Sequence, residues 1–187
     1  MKLGTHNSMT YLKPKKWYLY PFRFMARCQS KTIQEQYEEY GIRFFDLRIK
    51  FDKNGNPEFA HGSISYKEDV DYILRYLNSR NEEVKVRFVL EIKKPNELQE
   101  NLFKLYCALC ESLYSNIKFN NGRRKCDWQV VYDFENPEPE YDEKVSSTTW
   151  KIWDDWCPYI YARLMNKKNI KKGTDKEYMT LDFIQIQ

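Results

Sequence analysis

The run Val84-Lys85-Val86-Arg87-Phe88-Val89-Leu90-Glu91-Ile92-Lys93 decides the fold, because it reads as a buried strand set between two helical patterns. Upstream, residues 67–79 place Val70, Ile73, Leu74 and Leu77 on one helical face. Downstream, a helix opens at Pro95, a favoured first-turn residue, and continues to about residue 114. Towards the N-terminus the pattern repeats. Residues 42–51 form a strand rich in Ile and Phe. The helix before it, over 31–40, has Ser30 or Thr32 as N-cap, Glu35 completing a Thr-x-x-Glu box, Ile33 and Tyr37 facing inward, and Gly41 as its stop. A turn over 52–57 returns the chain as an extended run, 58–61. A very short strand, 2–4, begins the chain and leads into an aromatic and basic loop that reaches residue 29. Beyond residue 120 the pattern gives a strand over 127–134, an acidic surface loop over 135–143, a helix over 158–166 and a last strand over 178–184. Strands alternating with helices predict an α/β fold with a mostly parallel sheet, open or closed into a barrel.

A chain of 187 residues supports a real core, so residues 1–187 are read as a single domain. Hydrophobic residues at 42% and charged residues at 31%, with only 6 Gly and 7 Pro, exclude low-complexity disorder and collagen-like repeats. The formal charge of +4 is spread along the sequence and not gathered on one face, which argues against a nucleic-acid partner. No stretch approaches the roughly 18 apolar residues a membrane helix needs. Polar Thr5, His6 and Asn7 follow Met1 too closely for a signal peptide, so the chain as given reads as soluble and cytoplasmic. The odd count of 5 Cys, scattered at 28, 107, 110, 126 and 157, suits reduced thiols better than a disulfide framework. Cys107 and Cys110 form a C-x-x-C, but they lie among Leu98, Leu102, Leu105, Leu109 and Leu113. This apolar helical stripe predicts core packing over redox or zinc chemistry.

The chemistry-bearing residues gather at strand ends. Both histidines of the chain do so: His6 in Gly4-Thr5-His6-Asn7-Ser8 and His61 in Phe59-Ala60-His61-Gly62-Ser63. In parallel α/β folds the carboxyl ends of strands build the active site. A single histidine there serves a structural hydrogen bond as readily as catalysis; two point to a reaction that removes one proton and donates another. Period-two geometry puts Phe44, Asp46 and Arg48 on one face of their strand. Asp46 and Arg48 are then either a structural ion pair or a guanidinium aimed at a phosphate. Glu91 and Lys93 share a face opposite Phe88, Leu90 and Ile92, and Asp182 in the last strand is an inward carboxylate able to fix a histidine tautomer. Lys13, Lys15, Lys16, Arg23 and Arg27 interleave with Trp17, Tyr18, Tyr20, Phe22, Phe24 and Met25, so residues 13–27 read as a lid over the pocket or a contact with anionic membrane.

These runs, with Leu90-Glu91-Ile92-Lys93-Lys94 and Leu181-Asp182-Phe183, resemble the X-domain superfamily of phosphatidylinositol-specific phospholipases C, in its bacterial, metal-independent branch. The resemblance implies a small or irregular TIM-type (β/α) barrel acting on a phosphoinositide or related phosphodiester. It also implies roles: His6 as general base on the inositol 2-hydroxyl with Asp182 orienting it, His61 as general acid, and Arg48 on the phosphate oxygens. Asp46 joins the catalytic set, while Lys93, Glu91 and Asn7 would contact the headgroup. No cofactor is expected; Asn7, Asp46 and Glu91 are the set a residual calcium site would use. Asn7 stands where bacterial relatives carry Asp, as in the calcium-dependent branch. The alternatives are a glycerophosphodiester-type phosphodiesterase and a barrel that only binds phosphorylated headgroups.

Overall fold

The computed structural model describes residues 1–120, 129–131, 141–143, 157–173 and 175–186. Five helices are described: α1 (Arg23–Ala26), α2 (Ile33–Glu38), α3 (Val70–Asn78), α4 (Glu97–Leu113) and α5 (Pro158–Lys172), with a 3-10 turn at Trp17–Phe22 before α1. The strands are β1 (Lys2–Thr5), β2 (Phe44–Phe51), β3 (Pro57–His61), β4 (Ile64–Ser65), β5 (Val84–Glu91), β6 (Ile117–Asn120), β7 (Gln129–Val131), β8 (Tyr141–Glu143) and β9 (Tyr178–Leu181). Parallel pairings join β6, β5, β2, β1, β9 and β8 in that order. Three short strands run antiparallel: β3 on the end of β2, β4 on β3, and β7 on the end of β5. Among the described residues no pairing joins β6 to β8, so the sheet is open and the expected barrel closure is absent from it.

Both faces of the central strands are buried along most of their length, yet β2 and β5 alternate apolar with charged residues. Phe45, Leu47 and Ile49 of β2 and Val86, Phe88 and Leu90 of β5 meet Val70, Ile73, Leu74 and Leu77 of α3 and Phe103, Cys107 and Cys110 of α4 in the main apolar cluster. The alternate residues, Asp46 and Arg48 of β2 and Arg87 and Glu91 of β5, are buried on the other face. The sheet thus separates an apolar side from an ionic one. Local signals set the helices. Thr32 and Glu35 close the capping box of α2, and Gly41 takes a left-handed φ of 64° beyond its end.

Several expectations are corrected. Pro95 precedes α4, which starts after an Asn96 cap boxed with Gln99. The leucine stripe faces outward: Leu98 is 76% and Leu105 69% exposed, with Leu109 and Leu113 also exposed. The buried stripe is Phe103, Cys107, Cys110 and Tyr114, so the two cysteines are core residues without the leucines. Burial pushes the Cys110 thiol up to about 12, and the Cys107 thiol higher still, which suits inert packing. The last strand stops at Leu181, because Phe183 turns the chain with a φ of 45°. Asp182 is therefore delivered from a turn. Within the expected acidic loop, Tyr141–Glu143 forms β8; the rest of that loop lies outside the described residues, as do Cys126 and the flanks of the strand expected over 127–134.

Candidate active site

β1, β2, β5 and β9 point their carboxyl ends the same way, and the turns after β1 and β9 place His6 and Asp182 side by side. Gln29, fully buried, ties these turns together. Its Nε2 donates to the carbonyls of His6 (3.1 Å) and Leu181 (2.7 Å), and its Oε1 accepts from the Ile184 amide (3.2 Å). Thr10 Oγ1 accepts from the amides of Cys28 and Gln29 and donates to the Asn7 carbonyl, each at 2.9 Å. Asn166 of α5 donates to the Asp182 carbonyl at 2.8 Å.

On this frame His6 Nδ1 donates to Asp182 Oδ1 at 2.8 Å, which leaves Nε2 as an acceptor facing the site. Arg48 Nη2 donates to that Nε2 at 2.8 Å. The same guanidinium is held by Asp46, through Nε to Oδ2 at 3.0 Å, and by Glu91, through Nη1 to Oε2 at 3.3 Å. Asp46 Oδ2 also accepts from the Asn7 amide at 3.1 Å, and Oδ1 faces Arg87 Nε at 3.8 Å. His61 Nδ1 donates to the Ala26 carbonyl at 2.7 Å, so its Nε2 is an acceptor when the ring is neutral. Asn7, in left-handed backbone at a φ of 46°, places its Nδ2 3.4 Å from His6 Nε2 and 3.4 Å from His61 Nε2. The Nε2 atoms of the two imidazoles are thus no more than two such contacts apart.

Burial would raise the Asp46 carboxyl, but the Arg48 and Arg87 guanidiniums and His6 outweigh it and hold the group well below the usual carboxylate range. Burial likewise opposes the Arg48 charge, and the carboxylates of Asp46 and Glu91 overcome that. His61 is lowered from 6.5, first by burial and then by the like charge of Arg48. Arrangements of this kind can accept a proton at one imidazole, deliver one from the other and meet developing anionic charge with a guanidinium.

The structure brings His6, Asn7, Asp46, Arg48, Glu91 and Asp182 together and joins His61 to them through Asn7. Glu91 is committed to Arg48 and to the Gly62 amide (3.2 Å), so it fixes the turn after His61 instead of presenting a free carboxylate to a headgroup. For the residual calcium set, the guanidinium of Arg48 fills the space between Asp46 and Glu91. Lys93 lies past β5 and lines a cavity of about 360 Å³ with Lys50, Gly62, Ser63, Glu91 and Ile92. Sequence reasoning missed Lys50, Arg87, Gln29 and Thr10. Period two would have found Lys50 and Arg87, since they share a face with Arg48 and Glu91 respectively; nothing in the sequence marks Gln29 or Thr10.

No family model matches the sequence, and no curated protein matches it. Solved structures do. The phosphatidylinositol-specific phospholipase C of Listeria monocytogenes aligns with a TM-score of 0.65 at 14% identity, covering 99% of this chain and 89% of that one. A point mutant of the Staphylococcus aureus enzyme of the same name aligns at 0.61 and 14% identity, covering 97% and 84%. A further S. aureus structure, concerned with modulation of that enzyme's membrane binding, aligns at 0.57 and 12% identity, covering 97% and 85%. In its mixed α/β architecture, this chain has the fold of the bacterial phosphatidylinositol-specific phospholipases C.

Proposed function

We propose that the chain is a phosphodiesterase of the phospholipase C type that cleaves phosphatidylinositol or a related headgroup diester. The observation that carries this reading is the pairing of His6, held by Asp182, with His61 across Asn7, beside a guanidinium. His6 Nε2 takes the proton of the inositol 2-hydroxyl as that oxygen attacks phosphorus. Protonated His61 gives its Nε2 proton to the departing glycerol oxygen, and a cyclic inositol phosphate and diacylglycerol result. Arg48 meets the charge that grows on the non-bridging oxygens. Asn7 Oδ1 has no hydrogen-bond partner among the described residues, so turning the amide over would offer an acceptor to the protonated His61. The exposed aromatic segment at the rim, which supplies the Ala26 carbonyl to His61, supports contact with a lipid surface.

Headgroup release from phosphatidylinositol tests the reading. His6→Ala and His61→Ala should each lower turnover by about 10² or more with the fold retained, and Arg48→Ala by a comparable factor on kcat. Wild-type rates in a folded variant would remove that residue from the mechanism.

A further inference from the structure

Cys28 is buried beside Asn7 of the same site, and the mechanism has no use for it. One ligand atom each from His6, Cys28 and Asp182 lie within 4.8 Å of one another. Three segments, after β1, between α1 and α2, and after β9, bring together a nitrogen, a sulfur and an oxygen. Beside them stands Asn7, with Nδ2 3.5 Å from Cys28 Sγ and 3.4 Å from His6 Nε2. Its buried Oδ1, without a hydrogen-bond partner among the described residues, reaches the same spot when the amide turns over. We infer that His6, Cys28 and Asp182 form a binding site for a thiophilic divalent cation, Zn²⁺ or Cd²⁺, with Asn7 Oδ1 as the fourth donor.

Donors at Zn–ligand distances of about 2.0–2.3 Å around a tetrahedral ion stand roughly 3.3–3.8 Å apart. Closing the cluster from 4.8 Å therefore takes a contraction of about 1 Å, within the reach of side-chain rotation. Ligand type sets the selectivity: sulfur and imidazole favour zinc and cadmium, whereas calcium and magnesium seek about six or more oxygens. Arg48 Nη2 stands 2.8 Å from His6 Nε2, and Asp46 and Glu91 offset its charge, which reduces its repulsion of the ion. On binding, the Cys28 S–H and His6 Nδ1–H bonds break and bonds from sulfur and Nδ1 to the metal form; the thiol proton leaves to solvent and the imidazole proton passes through solvent to Nε2, where it displaces the Arg48 contact, so affinity rises with pH. The ion would occupy His6 and separate it from Asp182. Given the proposed mechanism, it inhibits.

The test titrates purified protein with Cd²⁺ and follows the ultraviolet thiolate-to-metal charge-transfer band, in wild type, Cys28→Ser and Cys28→Ala. Circular dichroism confirms that the variants fold. The wild type should show a band component that both variants lack. In parallel, Zn²⁺ should suppress wild-type headgroup release and a chelator should restore it. Both variants should keep basal turnover and need at least ~10-fold more Zn²⁺ for half inhibition. An identical Cd²⁺ band in wild type and variants, or unchanged Zn²⁺ sensitivity in active variants, overturns the site. Were the chain inactive on every diester tried, the function would fail while the Cd²⁺ band still decided the metal site.

Discussion

His61 carries a conflict between its surroundings and its proposed task. Burial and the Arg48 charge favour its neutral ring, while a general acid must be protonated. In the free protein the acid form therefore fills only at pH below the ordinary value of 6.5. We predict that kcat/KM on a soluble inositol phosphodiester falls with rising pH along a limb whose midpoint is below 6.5, since this profile reports the free enzyme. A sole limb at higher pH would count against His61 as the acid. The same depression links to stability: the neutral ring's contribution is complete above 6.5 and is lost as pH falls through the lowered pKa. At this scale much was legible in the sequence. His6 is marked by its place after β1 and Arg48 by its period-two face with Asp46, both local properties, whereas His61 ends β3, which runs antiparallel to β2, so the rule for parallel strands that pointed to it does not apply there. The direction of Glu91 was not legible. Whether a carboxylate at the end of β5 meets substrate or Arg48 depends on the register of β5 against β2, which sets Arg48 opposite Val89 and so within reach of Glu91.

Among the elements, β1 lies so close to β2 that a Cβ on Gly4 would come 2.9 Å from the Phe44 ring and 3.1 Å from its carbonyl oxygen. Gly4→Ala should destabilise the fold by about 1–3 kcal/mol, the usual cost of overpacking, measured as a lower denaturant midpoint at unchanged m-value. An unchanged midpoint would mean that β1 shifts freely. The rim segment behaves differently, since Trp17 is 84% exposed and Tyr18, Phe22 and Phe24 are exposed beside Lys13, Lys15 and Lys16. Trp17→Ala with Phe24→Ala should weaken co-sedimentation with anionic vesicles and leave turnover of a soluble diester intact. Binding indifferent to both changes and to anionic lipid would leave the segment a lid. Capped, strongly periodic helices such as α2 and α3 were readable throughout. In α4 two apolar stripes run side by side, and the count of leucines favours the wrong one; the sheet buries the stripe carrying Phe103 and Tyr114. Periodicity finds a face and does not say which of two faces the core will take.

Over the whole molecule, the ionic side of the sheet is a lattice in which Asp46 touches Arg48 and Arg87, and Arg48 touches Glu91. A hard cation would have to displace a guanidinium from two carboxylates, at several kcal/mol in a site of low effective dielectric. Turnover should therefore survive excess chelator and gain little when calcium is restored. Abolition followed by recovery would reassign Asn7, Asp46 and Glu91 as ligands. The sequence pointed to a parallel sheet, since strand–helix alternation enforces it, but the open edge between β6 and β8 was beyond reach, because closure depends on pairings between distant strands. Asn7, Lys94 and Phe183, the described non-glycine residues in left-handed backbone, follow His6, Lys93 and Asp182 directly, at the ends of β1, β5 and β9. Each such turn stores on the order of 1–3 kcal/mol of strain, least for Asn and most for a bulky ring. The apolar side of the sheet holds that strain in place, so residues far from the candidate site bear on how accurately the two histidines meet.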